Sequence, residues 1–396
     1  MAQAGARNLY AGANPHGVRN HNERLILTLI QRHGTLPASD IAKHAGLSPQ
    51  TVSVILRGLE AEGFVMRGDP QRGKVGKPSI PITLNPGGAF SVGLKIGRRN
   101  ADLVLTDLRG DLRQAHRISY DYPVPADILT FLRTGLERFD RLLDDAAARI
   151  AGIGVAKPYD LWAWHEAIAA PAADMLAWKT IDVAEEIARF TDLPVFIEND
   201  ATAACRSEHI FGRGREFGDY AYFFVGSFIG GGVVINASVF EGTRGNAGAL
   251  GSLPVSTEDG PRQLIDAASL LLLEKRLAAE GIDTRRMWHQ PLDWSGFVPQ
   301  VDDWVARTAR HLAQAALTVC AVVDFEAVLI DGAFPEDVRA ALVAQTFDNM
   351  TRLDTRGLIP PRIEAGSVGP AARELGAAAT PIFSRYMLNT HVGLMS

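Results

Sequence analysis

The chain has 396 residues, of which 47% are hydrophobic and 21% charged, and its formal net charge is −5. This length predicts two or three domains, and the composition excludes a chain that is mostly disordered. Only two cysteines are present, Cys205 and Cys320, which excludes a disulfide scaffold and an all-cysteine zinc site. The first residues lack an apolar signal segment, and the most apolar stretch is too short and too acidic to span a bilayer. We therefore expect a cytoplasmic protein without a membrane partner.

The charge is divided unevenly along the chain. Residues 1–85 hold ten Lys/Arg and five Asp/Glu, a net charge of +5, which leaves −10 for the remainder. A small basic segment joined to an acidic body suggests that the small part binds a polyanion such as nucleic acid. Chance clustering would produce the same division.

Periodic apolar residues in the first 85 positions predict three short helices. The first covers 21–32, the second opens at Leu36-Pro37 and ends near Gly46, and the third runs from Pro49 to about Glu62, with Ser48 as its cap. A strand after Gly63, a basic Gly-rich turn over 67–78 and a strand at 80–84 follow. Three helices and a basic hairpin predict a winged helix-turn-helix, which we assign to residues 1–86.

A winged helix-turn-helix places its third helix in the major groove of double-stranded DNA. The outer face of this helix is polar, and the wing carries cations suited to phosphates. The predicted DNA-binding residues are Ser48, Pro49, Gln50, Thr51, Ser53, Arg57, Arg72, Lys74 and Lys77. A winged helix used only for protein contact is the alternative.

After Asn85-Pro86-Gly87-Gly88 the pattern β-β-β-α-β-α-β appears, and it recurs after residue 219. Two such α/β halves predict an actin-like, hexokinase-like (ribonuclease H-like) body. We expect the first lobe at 87–200, completed by a C-terminal helix within 370–396, and the second lobe, with dimerisation and ligand-cleft elements, at 201–369.

Six short motifs, most of them containing glycine, occur along this body in a recognisable order. They are Gly93–Gly97, Gly152–Val155, Glu198–Ala204, Gly230–Asn236, Gly245–Gly251 and Gly369–Ala378. Together with the winged helix, this set resembles the ROK family of repressors, open reading frames and sugar kinases, in its repressor branch. The resemblance covers nearly the whole chain and implies the same two-lobed fold.

The resemblance also implies which sites have changed. The family's kinases use an Asp-x-Gly-Gly-Thr turn for ATP phosphates and magnesium, whereas the matching stretch here is Lys95-Ile96-Gly97-Arg98-Arg99. The family's zinc histidine corresponds to Ser252, and the loop after it lacks cysteine. We therefore expect no ATP site, no metal and no cofactor.

The family's sugar-binding Asn-Asp pair corresponds to Asn199 and Asp200, although these residues could instead cap a helix. Three other positions that bind sugar hydroxyls in the family are Ala249, Ser252 and Ile265 here. These changes imply either a ligand that is not a standard hexose or a pocket that no longer serves to bind a ligand. The expected ligand-binding residues are Asn199, Asp200, Asn246, Ser252 and Asp266.

These features predict a transcriptional regulator, in the repressor branch, that binds an operator and senses a sugar or sugar-like effector. It would not be an enzyme, and it would form a homodimer or homotetramer on a two-fold operator. Two alternatives remain: a sugar kinase carrying a helix-turn-helix, and a ligand-independent regulator controlled by a protein partner.

Overall fold

The computed structural model describes residues 15–70, 80–165, 170–289 and 291–388, with side chains from residue 20 onward. The chain forms two compact units. The first comprises residues up to Gly88 together with Phe383–Leu388, and the second comprises Ala89–Ile382. Among the described residues, no helix combines the length and the apolar character needed to cross a bilayer.

The N-terminal unit is a winged helix-turn-helix with a three-stranded antiparallel sheet in the order β1-β3-β2. Its core contains Ile26, Ile30, Ile41, Val52 and Leu56, all almost fully buried. Its elements are α1 (Pro15–His33), β1 (Thr35–Pro37), α2 (Ala38–Ala45), α3 (Pro49–Ala61), β2 (Val65–Arg67) and β3 (Pro81–Leu84).

The structure corrects the start of the second helix. Leu36 and Pro37 lie in strand β1, paired with Ile82 and Pro81, and α2 begins only at Ala38. Pro37 has an extended backbone with ψ 152° and precedes the helix instead of occupying its first turn. Its ring fits this edge strand because proline has no N–H to donate to a sheet.

The end of the chain completes the N-terminal unit. The Arg24 side chain donates through Nε to the carbonyl of Met387 at 2.7 Å and through Nη2 to that of Ser384 at 2.8 Å. The backbone N–H of Leu388 donates to Thr28 Oγ1, and the rings of Phe64 and Tyr386 lie 5.0 Å apart. We call residues 383–388 the C-terminal strap. The sequence placed this segment with the first lobe, whereas the structure groups it with the helix-turn-helix.

The second unit, the body, contains two five-stranded mixed sheets of the same design. In the first lobe the order is β6-β5-β4-β7-β8, with β6-β5-β4 antiparallel and β7 and β8 parallel to β4. Its elements are β4 (Phe90–Ile96), β5 (Asn100–Asp107), β6 (Leu112–Ser119), α4 (Pro125–Leu143), β7 (Ile150–Lys157), α5 (Ala172–Thr180), α6 (Val183–Ala188) and β8 (Val195–Asn199).

The second lobe repeats this arrangement in the order β11-β10-β9-β14-β15, with an antiparallel meander followed by two parallel strands. This duplication is the actin-like, hexokinase-like design that the sequence predicts. Its elements are α7 (Asp200–Phe211), β9 (Tyr220–Val225), β10 (Ile229–Ile235), β11 (Ser238–Phe240), β12 (Pro254–Thr257), β13 (Gly260–Gln263), α8 (Ile265–Ala268), α9 (Leu270–Ala279), α10 (Val298–Val323), β14 (Ala327–Gly332), α11 (Glu336–Met350) and β15 (Arg362–Ala365). The last helix, α12 (Ala372–Tyr386), returns to the first lobe.

Helix α12 packs against the first sheet at backbone distance. A Cβ atom added at Gly154 would overlap the carbonyl oxygen of Ala377, and one added at Gly93 would lie 2.7 Å from the backbone nitrogen of Ala378. Only glycine leaves room for this approach. Two of the glycine motifs therefore serve one packing contact, and that contact positions the first turn of α12.

Candidate functional site

Helix α3 presents a polar face to solvent. Ser48 caps its N-terminus, because its Oγ accepts a hydrogen bond from the Thr51 backbone N–H at 3.1 Å. Val52, Ile55, Leu56 and Leu59 are buried on the opposite face. The exposed residues of the outer face include Pro49, Gln50, Thr51, Ser53 and Arg57.

The six DNA-binding residues predicted on this helix and its cap are thus together and accessible. Val54, which the sequence analysis did not single out, is 56% exposed on the same face. It is a missed candidate because an apolar residue in an amphipathic pattern is normally assigned to the core. Arg72, Lys74 and Lys77 lie outside the described residues.

The body contains a large cavity between its two lobes, with a volume of about 1160 Å³. The lining includes four of the five predicted ligand-binding residues, Asn199, Asp200, Asn246 and Ser252. Asp266 is exposed and is not among the described residues that line this cavity, whereas its neighbour Ile265 is. A volume of this size exceeds that of a typical pocket for one small ligand.

Asn199 and Asp200 lie where β8 ends and α7 begins. The Asn199 side chain does cap α7, since its Oδ1 accepts from the backbone N–H groups of Ala201 at 2.9 Å and Thr202 at 3.3 Å. Asp200 Oδ2 accepts from Arg373 Nη1 at 3.4 Å. The Arg373 guanidinium also lies over the Phe224 ring at 4.9 Å, so the first turn of α12 forms part of the cavity wall.

The β4–β5 turn carries a buried ionic network. Lys95 Nζ donates to Asp102 Oδ2 at 2.9 Å and to Asn100 Oδ1 at 2.8 Å, and Arg117 Nε donates to the other carboxylate oxygen of Asp102. Burial pushes the pKa of Asp102 upward, but the two cations outweigh it and the net shift is downward. Lys95 therefore has an internal counterion and is not a free phosphate ligand.

The same turn is tied to the second lobe. Arg98 donates to both oxygens of Glu274 on α9, at 2.8 and 3.0 Å, and both side chains are more than nine-tenths buried. Arg99 Nη2 donates to Glu274 at 3.1 Å. Both arginines of this turn are thus engaged with a carboxylate from the opposite lobe. Within the described ranges, no three His, Cys, Asp or Glu side chains gather as a metal site would require.

Aromatic rings also border the cavity that Asn199 and Asp200 line. The rings of Trp164 and Phe228 lie 4.5 Å apart, and both residues line the cavity. Trp162 instead packs under Lys179, whose Nζ is 4.7 Å from its ring, and it also adjoins the core. An apolar ring face beside hydroxyl-binding groups suits a sugar ring.

Parts of both units match models of known protein families. A model described as "ROK family" matches residues 91–264, and one described as "MarR family" matches residues 20–71. The chain carries a ROK family domain. The ROK domain coincides with the first lobe and the start of the second, and the MarR match covers the helix-turn-helix.

A xylose repressor from Bacillus spizizenii is 26% identical to the chain over 248 residues, which are 62% of this chain and 63% of the repressor. The chain therefore spans less than two thirds of that relative. Among solved structures, a ROK family transcriptional regulator, described as a homolog of the E. coli MLC protein, superposes with a TM-score of 0.66 at 19% identity, covering 93% of this chain and 98% of that one. A ROK hexokinase from Thermus thermophilus superposes with a TM-score of 0.53 at 25% identity, covering 74% and 97%.

Sequence reasoning missed three residues that line the cavity, Arg117, Glu274 and Arg373. Arg373 lies within a glycine motif that was recognised, so the motif itself was the available signal. Arg117 and Glu274 lie in ordinary amphipathic patterns, and no local feature of the sequence marks them.

Proposed function

We propose that this protein is a transcriptional repressor that binds operator DNA through α3 and responds to a carbohydrate bound in the cleft of its ROK domain. The observation that carries this proposal is the exposed polar face of α3, capped by Ser48, in a unit that matches the MarR family. The repressor name of the similar protein and the regulator fold of the structural neighbour support it. We further propose a cytoplasmic homodimer or homotetramer, because two-fold operators require paired helices one turn apart.

We also propose that the protein is not a sugar kinase. Lys95 forms an ion pair with Asp102, and Arg98 forms one with Glu274. Both cations lie at the turn that corresponds to the ATP-binding turn of the kinases that this chain resembles. A carboxylate that could direct magnesium is replaced there by the Lys95 ammonium. Asn199 and Asp200, with Asn246 and Ser252, would then bind a ligand without transferring phosphate to it.

The experiment is selection of genomic DNA fragments by the purified chain, followed by affinity measurements on the selected site. A glutamine contact to adenine contributes about 1–3 kcal/mol of discrimination, so Gln50→Ala should lower the preference at one base pair about tenfold or more. The salt dependence of binding should stay the same, because phosphate contacts are unchanged. Gln345→Ala, on α11 of the body, is the matched control.

Three results would count against all or part of the proposal. Recovery of fragments without any shared sequence would exclude an operator-binding repressor. Turnover of ATP–magnesium with a sugar, abolished by Asp200→Asn, would instead support the kinase reading. If no sugar alters the affinity for DNA, the proposed response to a carbohydrate is wrong, whereas the proposed operator binding is unaffected.

A further inference from the structure

Two segments from different parts of the body bring polar groups to the cavity. One is the Asn199-Asp200 pair, where strand β8 ends. The other is residues 241–249, which follow strand β11 and which we call the cleft loop. Asn246 and the three residues after it line the cavity, as Asn199 and Asp200 do. A ligand bound by both segments requires that the position of one relative to the other be fixed.

The cleft loop is irregular, built of turns, and its residues 243–246 are exposed. Near its end, Gly248 packs against β10, since a Cβ atom added there would lie 2.6 Å from the Cα atom of Gly232. The loop also closes on itself, because the backbone N–H of Ala247 donates to the carbonyl of Glu241 at 3.0 Å. The position of Glu241 therefore influences the position of the loop residues that face the cavity.

Arg206, on α7, binds the side chain of Glu241. Its Nη2 donates to Glu241 Oε1, and its Nε and Nη2 both donate to Glu198 Oε2 at 3.2 Å. Glu198 directly precedes Asn199 in β8, and its other oxygen accepts a hydrogen bond from Thr380 on α12. One guanidinium group therefore joins the residue before the Asn199-Asp200 pair to the first residue of the cleft loop.

The two carboxylates bound by Arg206 differ in exposure. The side chains of Arg206 and Glu198 are each 11% exposed, whereas that of Glu241 is 58% exposed. Burial by itself lowers the pKa of Arg206, but the two carboxylates outweigh it and the net shift is upward, so the guanidinium stays charged. Removal of the Glu241 side chain would leave the buried Arg206–Glu198 pair in place. The stability of the body and the position of the loop can therefore be tested separately.

We propose that Arg206 is a positioning residue for the effector: through Glu241 it holds the cleft loop in place relative to Asn199 and Asp200. This inference rests on the proposed carbohydrate response. Neither Arg206 nor Glu241 is among the described residues that line the cavity. They act on affinity indirectly, because a binding group is effective only when the residues behind it hold it close to the binding geometry.

Glu241→Ala in the full-length chain separates positioning from stability. Hydrogen exchange of peptides within 242–249, measured by mass spectrometry, should quicken tenfold or more, because the acceptor of the Ala247 N–H is no longer anchored. Exchange in other peptides of the body should be unchanged. The midpoint of urea unfolding should also be unchanged, because Arg206 keeps its buried partner Glu198.

Xylose, glucose and N-acetylglucosamine are the probes of the ligand site. Thermal shift identifies which of them the unmodified chain binds, and calorimetry then measures the affinity. Glu241→Ala should weaken binding of that sugar fivefold or more. Glu241→Gln keeps an oxygen that can accept from Arg206, so it should restore most of the affinity and most of the slow exchange.

Glu216→Ala is the matched control. Glu216 is also the more exposed of two carboxylates bound by one arginine, since Arg213 pairs with both Glu216 and Glu364. Glu216 lies in the same lobe but outside the cleft loop. Its removal should change neither the exchange of the cleft loop nor the affinity for the sugar.

The inference fails in three cases. Unchanged exchange of the cleft loop in Glu241→Ala would show that the ion pair does not hold the loop. Faster exchange throughout the body with a lower unfolding midpoint would show that the pair only stabilises the fold. Faster loop exchange with unchanged sugar affinity would show that the loop does not contribute to binding. If the unmodified chain binds none of the three sugars, that result counts against the proposed carbohydrate response, and loop exchange alone then decides whether Arg206 positions the loop.

Discussion

The buried guanidinium of Arg98 is neutralised by Glu274, a residue that lies far away in the sequence. The sequence predicts that arginine at position 98 disables a phosphate-binding turn, and the structure adds that its guanidinium has a bidentate partner 176 residues further along the chain. Local sequence cannot reveal this partner, because nothing about Glu274 on an amphipathic helix distinguishes it from a surface glutamate. The ion pair connects the two lobes at one end of the cleft.

Glu274→Ala should therefore destabilise the body substantially. It leaves the Arg98 guanidinium buried without its carboxylate, and removing one partner of a buried pair costs about 3–5 kcal/mol. The measurement is the free energy of unfolding of the body in urea. Glu186→Ala, which removes the partly exposed partner of the exposed Arg189, should cost less than about 1 kcal/mol. Equal decreases in the free energy of unfolding would show that the interlobe ion pair stabilises the body no more than a surface ion pair does.

At the scale of elements, helices with a repeating apolar pattern were predictable from the sequence. Short strands that depend on a partner strand elsewhere in the chain were not. Apolar spacing located α3, whose observed bounds Pro49–Ala61 differ from the prediction by one residue at the C-terminal end. Strand β1 was missed because it has only three residues, and it exists because Thr35–Pro37 pair with Pro81–Thr83 far along the chain. Helix α4 ends at Leu143, where Asp144 adopts a positive φ of 50°.

Gly154, in strand β7, provides a test of the packing between helix α12 and the first sheet. Gly154→Ala should cost at least about 3 kcal/mol or prevent folding, because the added methyl group meets the backbone of α12, which cannot rotate away. Gly218→Ala is the matched control, since its nearest neighbour is a glutamate side-chain oxygen at 3.5 Å. Thermal unfolding of both variants distinguishes them, and a Gly154→Ala protein as stable as the control would contradict the close approach.

At the scale of the whole molecule, the two compact units were predictable from the change in charge and pattern near residue 86. The membership of the C-terminal strap was not, because its sequence reads as the end of an ordinary helix. Its role depends on Arg24, Thr28 and Phe64, which lie more than 300 residues earlier in the chain.

Tyr386→Ala should loosen the N-terminal unit. It removes the ring that packs on Phe64, and an aromatic contact of this kind contributes about 0.5–1.5 kcal/mol beyond simple burial. Hydrogen exchange of the α1 amides should quicken severalfold, and operator affinity should fall with it. Tyr159→Ala, an exposed tyrosine of the body, should leave that exchange unchanged. Unaltered α1 exchange in Tyr386→Ala would show that the strap is dispensable.

The strap also bears on how this protein is made. A ribosome releases residues 1–88 long before it adds Phe383–Leu388, so the first unit to emerge must wait for these later residues before Arg24 and Phe64 acquire their partners. A nascent or prematurely terminated chain would carry an incomplete helix-turn-helix. Only a chain synthesised through Leu388, with its body already made, would therefore present a helix-turn-helix with all of these contacts to DNA.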